Sequence, residues 1–398
     1  MITNNIFYLE SFVFIFHDDT NVLLYNSITY DSVEFSTTQP LLQFILKLDD
    51  PSNMRRIKIS KEIMEDQSVY YFIEKVRELF WGDLIDKELL TEMPVIIPPI
   101  CNFQKDKEVD AHNAFSYLNE VRIVTDISPS SNVYLYKKIF NQTQLLVSDE
   151  LISELSIEIL NKILSALPSK CHLTFLGTDI MSYFSLHNVF SLIPNLPRAT
   201  ICVDYLKFAW NTNFQIFDFK IVITFPIQKE ILKNIIRSSN KLSSTFTYIF
   251  LVLSEDEYEK VDAIANELHI FSYELIPIYN DNIHFFEKFV FNTPESLLES
   301  CISKDDIFQH QIFNSYDFGK IIILPNGNIK GNPYLPTWGN IMSADLRELT
   351  SNEIKYGKSW LRLREQGICN TCRYKWICPS PSNYEFEIGK QNLCHIKQ

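Results

Sequence analysis

The sequence is poor in glycine, with nine glycines among 398 residues. Phosphate-binding loops need closely spaced glycines, because their backbone must approach the phosphate oxygens. Neither a P-loop nor a G-x-S-x-G nucleophile turn occurs in the chain. Histidine pairs at metal-ligand spacing, such as H-E-x-x-H, are also missing. These absences argue against P-loop nucleotide hydrolysis, α/β-hydrolase chemistry and zinc-protease chemistry.

Long apolar runs and excess positive charge are missing as well. No run approaches the ~18 apolar residues of a membrane helix, so we expect a soluble protein without a membrane partner. The formal net charge of −13 argues against nucleic acid as a partner, since phosphate contacts need clustered Lys and Arg. Residues 1–10 lack the pattern of a secretory signal, which predicts a cytoplasmic location.

What the chain does contain is enough apolar sequence for several cores. Hydrophobic residues make up 46% and charged residues 21%, a balance typical of globular proteins. The length of 398 residues predicts two or three domains.

Residues 1–92 have the pattern of a small winged-helix-like α+β domain. Strands are predicted at residues 12–16, 22–26 and 30–35, and helices at residues 39–48, 59–65 and 67–80. Gly82 is predicted to close the last helix. The proline-rich and charged stretch at residues 93–113 predicts a linker.

Strand and helix patterns alternate over residues 114–312. Strands are predicted at residues 121–125, 173–176, 199–205, 220–225, 248–253 and 271–277, and helices at residues 150–167, 227–237, 256–267 and 283–290. This alternation predicts a parallel sheet with helices packed on it, either open or curled into a partial barrel. The predicted fold class is therefore α/β.

The final segment, residues 313–398, combines a hairpin pattern with a cysteine cluster. Asn326 and Gly327 predict a type I′ turn, and residues 352–363 are predicted to be helical. Four of the eight cysteines follow: Cys369, Cys372, Cys378 and Cys394. In a C-x-x-C turn both sulfurs can face one point, so a metal centre is predicted, with a disulfide as the alternative. The donor set suits a 4Fe–4S cluster or Zn²⁺. The other cysteines are predicted to be buried free thiols.

The order of elements in residues 1–92 resembles the RiPP recognition element, a domain that binds leader peptides of ribosomally synthesised, modified peptides. In that family the leader adds a strand to the third β-strand and rests against the third helix. The resemblance implies an edge at residues 30–35 and a neighbouring helix at residues 67–80. The implied peptide-binding residues are Tyr30, Ser32, Val33, Phe35, Tyr70, Glu74, Arg77 and Trp81. For the last four, the solvated flank of an amphipathic helix is the alternative.

The six predicted strands of residues 114–312 resemble the (β/α)6 partial TIM barrel of radical S-adenosylmethionine (SAM) enzymes. Those enzymes need C-x3-C-x2-C after the first strand, where three thiolates leave one iron open for the cofactor. No cysteine occurs here between Cys101 and Cys171. The resemblance therefore implies a degenerate barrel without catalytic residues, in which S-adenosylmethionine is not expected.

Residues 313–398 resemble the SPASM domain, the iron–sulfur extension of radical SAM peptide maturases. The matching residues are 325–327, 339–341 and the four cysteines of the tail. SPASM domains hold two clusters, and the inner cluster would need cysteines near residues 315–318, 331–333 and 382. Since these places hold no cysteine, the resemblance implies that only the outer cluster, ligated by Cys369, Cys372, Cys378 and Cys394, is retained.

Taken together, the three segments resemble the pseudo-radical-SAM proteins that accompany Bacteroidales double-glycine leader peptides. The resemblance implies a non-catalytic protein whose partners are a precursor or leader peptide and an active radical SAM maturase. Two alternatives stay open: a redox protein or enzyme that uses one auxiliary 4Fe–4S cluster, and an interaction protein stabilised by structural zinc.

Overall fold

The structure is a computed structural model. It describes residues 5–89, 103–130, 132–168, 170–189, 199–210, 212–239 and 244–396. Among these residues no helix has both the length and the apolar character needed to cross a membrane.

The N-terminal unit is built from two small antiparallel sheets and three helices. Its elements are β1 (Asn5–Leu9), β2 (Val13–His17), β3 (Asn21–Asn26), β4 (Ser32–Ser36), α1 (Gln39–Asp49), β5 (Arg56–Lys58), α2 (Lys61–Glu65), α3 (Gln67–Glu78) and β6 (Gly82–Asp86). The sheets have the strand orders β2-β3-β4 and β5-β1-β6. Phe7 of β1 packs against Phe44 of α1 and Phe72 of α3, with ring centroids 5.8 and 6.1 Å away. These rings form the centre of the unit's core.

Side-chain caps set where the helices of this unit begin. Thr38 accepts the Leu41 amide at α1, and Asp66 accepts the amides of Ser68 and Val69 at α3. At the other end, α3 stops at Glu78 rather than at the predicted residue 80. Its last carbonyls are satisfied by a turn in which Phe80 takes the left-handed conformation, with φ of 57°.

Gly82 therefore does not close the helix, as the sequence predicted, but begins β6. A Cβ atom at this position would lie 2.2 Å from the Tyr8 carbonyl oxygen, so the close pairing of β6 with β1 requires glycine. The strands β1, β5 and β6 were not among the predicted elements. Each is only three to five residues long, and short strands carry little periodicity.

The segment predicted as a linker, residues 93–113, is described from residue 103 onward. There it contains α4 (Lys107–His112), which packs against a later helix, Leu346–Tyr356. Phe103 and Ala111 are buried in the main core. The described part of the segment is thus packed structure, while residues 93–102 lie outside the described residues.

Residues 114–312 contribute six parallel strands, in chain order, to the central sheet. Its elements are β7 (Glu120–Ile127), α5 (Val133–Thr143), β8 (Ser153–Glu154), α6 (Ile157–Ala166), β9 (His172–Gly177), α7 (Ile180–Leu186), β10 (Ala199–Asp204), β11 (Phe217–Thr224), α8 (Lys229–Ser239), β12 (Phe246–Val252), α9 (Glu255–Glu267), β13 (Tyr273–Pro277), α10 (Ile283–Phe289), α11 (Pro294–Glu299) and α12 (Lys304–Ile312). The parallel strands run β13-β12-β11-β10-β9-β7, and the short β8 pairs with β7 in the antiparallel direction. All six predicted strands are present.

The two faces of this sheet are covered differently. On one face, alternate strand residues pack against α6, α7, α8 and α9 in the main core. On the other face, Val124, Leu176 and Val222 pack against α5 through Ile139 and its neighbours. We call this second face the α5 face.

The C-terminal segment continues the central sheet. Its elements are β14 (Lys320–Ile323), β15 (Asn328–Lys330), β16 (Gly339–Asn340), α13 (Leu346–Tyr356) and α14 (Asn383–Ile388). Strand β14 runs parallel to β7, and β15 and β16 extend the sheet in the antiparallel direction. The predicted boundary at residue 313 therefore separates two segments that share one sheet.

The β14–β15 hairpin does not contain the predicted type I′ turn. Gly327 has φ of +82°, but Asn326 is not in the left-handed region that a type I′ turn requires. The Gly327 amide donates to the Leu324 carbonyl at 2.8 Å, and the Leu324 amide donates to the Asn328 carbonyl at 2.9 Å. Pro325 fixes a negative φ at the first central position, which favours a type I turn followed by a left-handed glycine.

Two predicted helices are shorter or displaced. Within residues 150–167 the helix begins only at Ile157, because Ser156 caps it, and Ser153 and Glu154 form β8. The helix predicted at residues 352–363 is α13, which ends at Tyr356. Beyond it, the Glu353 carboxylate accepts the amides of Ser359 and Trp360 and turns the chain. The α/β prediction is confirmed as a mainly parallel central sheet flanked by two small antiparallel sheets.

Candidate functional site

The four cysteines of the C-terminal segment line one small cavity. The Cys372 amide donates to the Cys369 carbonyl at 3.2 Å, so the C-x-x-C segment forms one turn. The Cys378 amide donates to the Tyr374 carbonyl at 2.8 Å in the next turn. Cys394 arrives from the end of the chain, where it forms a bridge with Asn292. Local turns and one long-range pairing thus place all four predicted ligands at one cavity.

Burial raises the pKa of two of the thiols at this cavity, those of Cys369 and Cys378. The seven described cysteines are all free thiols. Burial raises the pKa of Cys378 to about 12, although Arg364 opposes the shift. Burial also raises the pKa of Cys369. Arg364 opposes this shift, and the nearby Cys394 and Cys372 add to it. Since the thiolate is the metal ligand, loading the cavity with a metal would release protons.

The donors fit a thiolate-ligated metal by type and placement. Soft sulfur donors suit both 4Fe–4S clusters and Zn²⁺. Arg364 lines the cavity, and its charge would offset part of the negative charge of four thiolates. Across the described parts of the chain, however, no three His, Cys, Asp or Glu side chains have the spacing of a formed metal site. The metal centre therefore stays a prediction, carried by the shared cavity and the donor type.

The loop between Cys372 and Cys378 is attached to the N-terminal unit by ion pairs. Arg373 donates from Nη1 to Asp18 at 2.8 Å, and from Nε and Nη2 to the two carboxylate oxygens of Glu34 at 3.2 Å each. The Tyr374 hydroxyl also donates to Glu34. Burial alone would raise the pKa of Asp18, but hydrogen bonds from Thr20 and Arg373 lower it to about 2.

An apolar cluster lies behind these ion pairs. Tyr374 and Ile377, from the segment between the cysteines, are buried against aromatic residues of β2 and β3, and the Tyr25 hydroxyl donates to the Ile302 carbonyl at 2.8 Å. The strand residues in this cluster are Phe14, Phe16, Leu23 and Tyr25. One face of the β2-β3-β4 sheet is therefore covered by the cysteine-bearing segment.

The three places where an inner cluster would need cysteines converge on a polar network. The Asn332 amide donates to the two oxygens of Asp317 at 3.1 and 3.0 Å and to Asn383 at 2.6 Å. Arg362 donates to Asp317 at 3.4 Å and to the Ser382 carbonyl at 3.1 Å. Asp317 and Asn332 are buried. The hydrogen bonds that join these segments could not be read from the sequence.

The ends of β7 and β9 are also filled by the chain's own polar groups. The Asp126 carboxylate accepts the Asp179 amide at 2.7 Å, and Thr178 donates to the Val147 carbonyl at 3.0 Å. Gly177 is tightly enclosed, because a Cβ atom there would lie 2.1 Å from Asp126 Oδ1. From this loop α5 begins and crosses the α5 face, where Gln142 donates to the Tyr279 carbonyl at 2.8 Å. Helix α5 was not among the predicted helices.

The predicted peptide edge, β4, pairs with β3 on one side and with no described strand on the other. The Asn26 amide donates to the Asp31 carbonyl at 2.9 Å, and the Thr37 amide donates to the Thr20 carbonyl at 2.8 Å. Since backbone groups alternate in direction along an antiparallel strand, the amides of Ser32, Glu34 and Ser36 point to the open edge. This edge offers free main-chain donors and acceptors.

The predicted edge residues differ in how they could meet a peptide. Tyr30 is 37% exposed and has φ of 65°, just before the strand. Ser32 and Val33 line a groove beside the edge. Phe35 is buried against Phe72, with ring centroids 5.0 Å apart, so its side chain belongs to the core and only its main chain is at the edge.

The predicted residues around α3 also separate into two groups. Tyr70 is exposed on the helix. Glu74 and Arg77 pair with each other at 2.8 Å, and Arg77 also pairs with Asp83 at 2.8 Å. None of these three lines the groove beside β4. Trp81 does line it, although only 4% of this residue is exposed.

The groove itself has a volume of about 620 Å³ and lies between β4 and the end of α3. Its lining also includes eight residues that were not predicted to bind a peptide: Phe12, Asn26, Ile28, Thr29, Asp31, Lys75, Leu79 and Phe80. Phe80 is 87% exposed and holds a left-handed φ of 57°. A bulky residue in this conformation is unusual, and such strain is concentrated at functional sites. The helical pattern misassigned Phe80 to the core, so its exposure could not be foreseen.

Comparison with known proteins gives no family for this chain. No protein-family model matches the sequence, and no curated protein matches it at a significant level.

Proposed function

We propose that this protein is a non-catalytic partner in the maturation of a ribosomally synthesised peptide, and that it binds the leader peptide at β4. In this proposal residues 1–92 act as a peptide-recognition domain, the central sheet is a degenerate (β/α)6 partial barrel, and residues 313–398 form a SPASM-like domain. An active radical SAM maturase would supply the chemistry. The observation that carries the proposal is the open edge of β4 beside an apolar groove.

Binding would combine main-chain and side-chain recognition. The outward amides of Ser32, Glu34 and Ser36 would pair with an added peptide strand, which supplies affinity with little sequence preference. The groove would then read side chains of the peptide, since Ile28 and Phe80 expose large apolar surfaces there. Apolar groups exposed in a concave site gain free energy when a ligand covers them.

The central sheet supports a non-catalytic role. The loop after β7 contains no cysteine in residues 126–143, so this segment offers no thiolate ligand for a radical-generating cluster. Helix α5 covers the apolar half of the α5 face, and Asn383 of the C-terminal segment donates to the Asn141 carbonyl of α5 at 2.8 Å. In this proposal the central sheet is a structural support for the N-terminal unit and the C-terminal segment.

The four-cysteine cavity would hold the retained metal group through Cys369, Cys372, Cys378 and Cys394. Bound there, a cluster or Zn²⁺ would cross-link the four cysteines by coordination and order the segment between them. That segment carries Arg373 and Tyr374, which hold Glu34 of β4. These contacts join β4, the strand that would bind the peptide, to the segment that would bind the metal.

Peptide binding can be tested on the full chain by fluorescence anisotropy with a labelled double-glycine leader peptide. We expect saturable binding with micromolar affinity. Ser32→Pro removes one outward amide at the edge and leaves the β3 pairing intact, so it should weaken binding about tenfold, as expected for ~1.4 kcal/mol. Ser32→Ala keeps the amide and serves as the matched control.

The proposal fails if the wild-type chain shows no saturable binding to any leader tested. If Ser32→Pro and Ser32→Ala bind the leader equally well, the peptide does not use the edge of β4, and the proposed binding site is wrong.

A second candidate, in which the centre is a structural zinc site in an interaction protein, is favoured by the packing of the cysteine segment against β2 and β3. Metal analysis of anaerobically purified protein separates the candidates. Iron and sulfide at about four each per chain would support one cluster. One zinc per chain would support the structural role and exclude a redox function for the centre.

A further inference from the structure

The α5 face of the central sheet is divided into an apolar half and a charged half. Along β7 the side chains on this face are Glu120, Arg122 and Val124, and along β11 they include Lys220 and Val222. The residues toward the strand ends, Val124 and Val222, pack under α5. Buried parallel sheets are normally apolar on both faces, so the charged half calls for a physical reason.

Some of these charges are paired within the sheet. Arg122 donates to Glu120 at 2.8 Å and to the Gln144 side chain at 2.9 Å. Burial alone would raise the pKa of Glu120, but Arg122, with Lys320 and Lys220, lowers it to about 2. Glu120 is therefore a carboxylate at neutral pH and compensates one of the three cations around it.

The two lysines are less well compensated. Among the described residues, neither the Lys220 nor the Lys320 ammonium group has a carboxylate oxygen within the 4.0 Å that defines an ion pair. Burial lowers the pKa of Lys320, and repulsion from Arg122 lowers it further, while attraction to Glu120 and Asp317 opposes the shift without reversing it. Holding like charges together in a partly buried place costs free energy unless an anion joins them.

These side chains line a cavity of about 470 Å³ between the sheet and the C-terminal segment. The sheet contributes Arg122, Lys220, Lys320 and Glu274 to its wall, and the C-terminal segment contributes polar groups that include Tyr316 and Ser380. The volume lies within the range of about 300–1,000 Å³ that is typical of small-molecule sites. Arg122, Arg364 and Asp317 of the wall are already in ion pairs. The charged groups that remain are Lys220 and Lys320 against Glu274.

We propose that this cavity binds a small organic anion, whose phosphate or carboxylate oxygens are held by Lys220 and Lys320 beside Arg122. The hydroxyl and amide groups of the opposite wall would hydrogen-bond the rest of the ligand. This site lies on the central sheet, apart from the β4 groove, so the inference does not depend on the proposed peptide binding.

The proposal can be tested by isothermal titration of the full chain with inorganic phosphate, glycerol 3-phosphate and succinate at constant ionic strength. We expect saturable binding of at least one of them. Lys220→Gln and Lys320→Gln should each weaken that binding at least tenfold. Lys233→Gln removes a lysine from the surface helix α8, whose partner is Glu230, and should leave binding unchanged.

Unfolding in urea without added anion provides the second readout. Because Lys320 adds to like-charge repulsion, Lys320→Gln should be at least as stable as wild type when no anion is present, and should lose the stabilisation that the anion gives wild type.

The three probes show whether the ligand carries a phosphate or a carboxylate. Tighter binding of the two phosphates assigns a phosphate-bearing ligand, and tighter binding of succinate assigns a carboxylate. The proposal is overturned if none of the three binds saturably, or if both lysine variants bind as wild type does.

Discussion

The edge of β4 and the α5 face of the central sheet differ in how far the rest of the chain covers them. At β4, backbone groups and large apolar side chains face an open groove. On the α5 face, the helix that follows β7 packs over the apolar half, and Asn383 of the C-terminal segment donates to the Asn141 carbonyl of this helix at 2.8 Å. An open edge can add a strand, whereas a face packed against its own helix has little free apolar surface.

This difference indicates a division of labour within one chain. Under the proposed function, the open region would bind the peptide, and the closed region packed under α5 would act as a framework. Arg373 and Glu34 join the two, because the cysteine segment rests on the same small sheet that carries β4. This division would be disproved if the closed region proved dispensable for stability, or if the open region bound no peptide.

The largest expected effect comes from the closed region. Asp317→Ala should destabilise the protein by about 3–5 kcal/mol, because Arg362 and Asn332 lose their buried partner. Urea unfolding of the full chain measures this. Asp305→Ala, at an exposed position in the first turn of α12, is the matched control. It should lower the free energy of unfolding by only about 0.3–1 kcal/mol, the usual contribution of an acidic side chain near a helix N-terminus. A cost below about 1 kcal/mol for Asp317→Ala would show that the network is not a framework.

A second effect concerns the charged half of the α5 face. The pKa of Glu120 in the folded chain, about 2, lies below its ordinary value. Its contribution to stability is therefore complete above about pH 4.5 and is lost as the pH falls toward 2, by about 3 kcal/mol in all. Urea unfolding at several pH values should show a smaller loss on acidification in Glu120→Gln than in wild type. Equal losses in the two proteins would contradict the assignment.

The open region gives a third, smaller effect. Phe80→Ser should weaken leader-peptide binding about tenfold, as expected for ~1.4 kcal/mol, because the apolar surface in the groove is lost. Folding should be unaffected, since Phe80 is 87% exposed. Phe271→Ser, at a residue that is 93% exposed and outside the groove, is the control for unspecific loss of an aromatic group. Equal affinity of both variants would remove Phe80 from the site.

The smallest effect concerns the junction between the regions. A double-mutant cycle with Arg373→Ala and Glu34→Ala should give a coupling free energy of about 1 kcal/mol, modest because the pair is partly exposed. Urea unfolding of wild type, both single variants and the double variant provides the four values. Additive effects within about 0.3 kcal/mol would mean that the ion pair does not couple the two units.

The sequence was sufficient for the elements whose pattern is long and regular. All six parallel strands and the helices α1, α8 and α9 follow from apolar periodicity and capping residues, since these signals are local. The structure brings Cys369, Cys372, Cys378 and Cys394 to one cavity, while the metal itself stays a prediction.

The remainder depends on contacts that no local pattern encodes. Helix α5 has an apolar face like any other helix, so nothing in its sequence tells which face of the sheet it will cover. Likewise, Phe80 continues the apolar spacing of α3, and only the pairing of Gly82 with Leu9 of β1 accounts for the early end of the helix and the exposure of Phe80. The Asp317–Asn332 contact joins residues whose partners were unknown before the fold.

Hydrogen–deuterium exchange on the full chain, with and without a bound leader peptide, tests the central claim most directly. An added strand protects the outward amides of an edge. We therefore expect slower exchange at Ser32, Glu34 and Ser36 when the peptide binds, with unchanged exchange in α5 and β7. Protection that appears in α5 or β7 while β4 is unchanged would contradict the account, because the peptide would then bind at the central sheet.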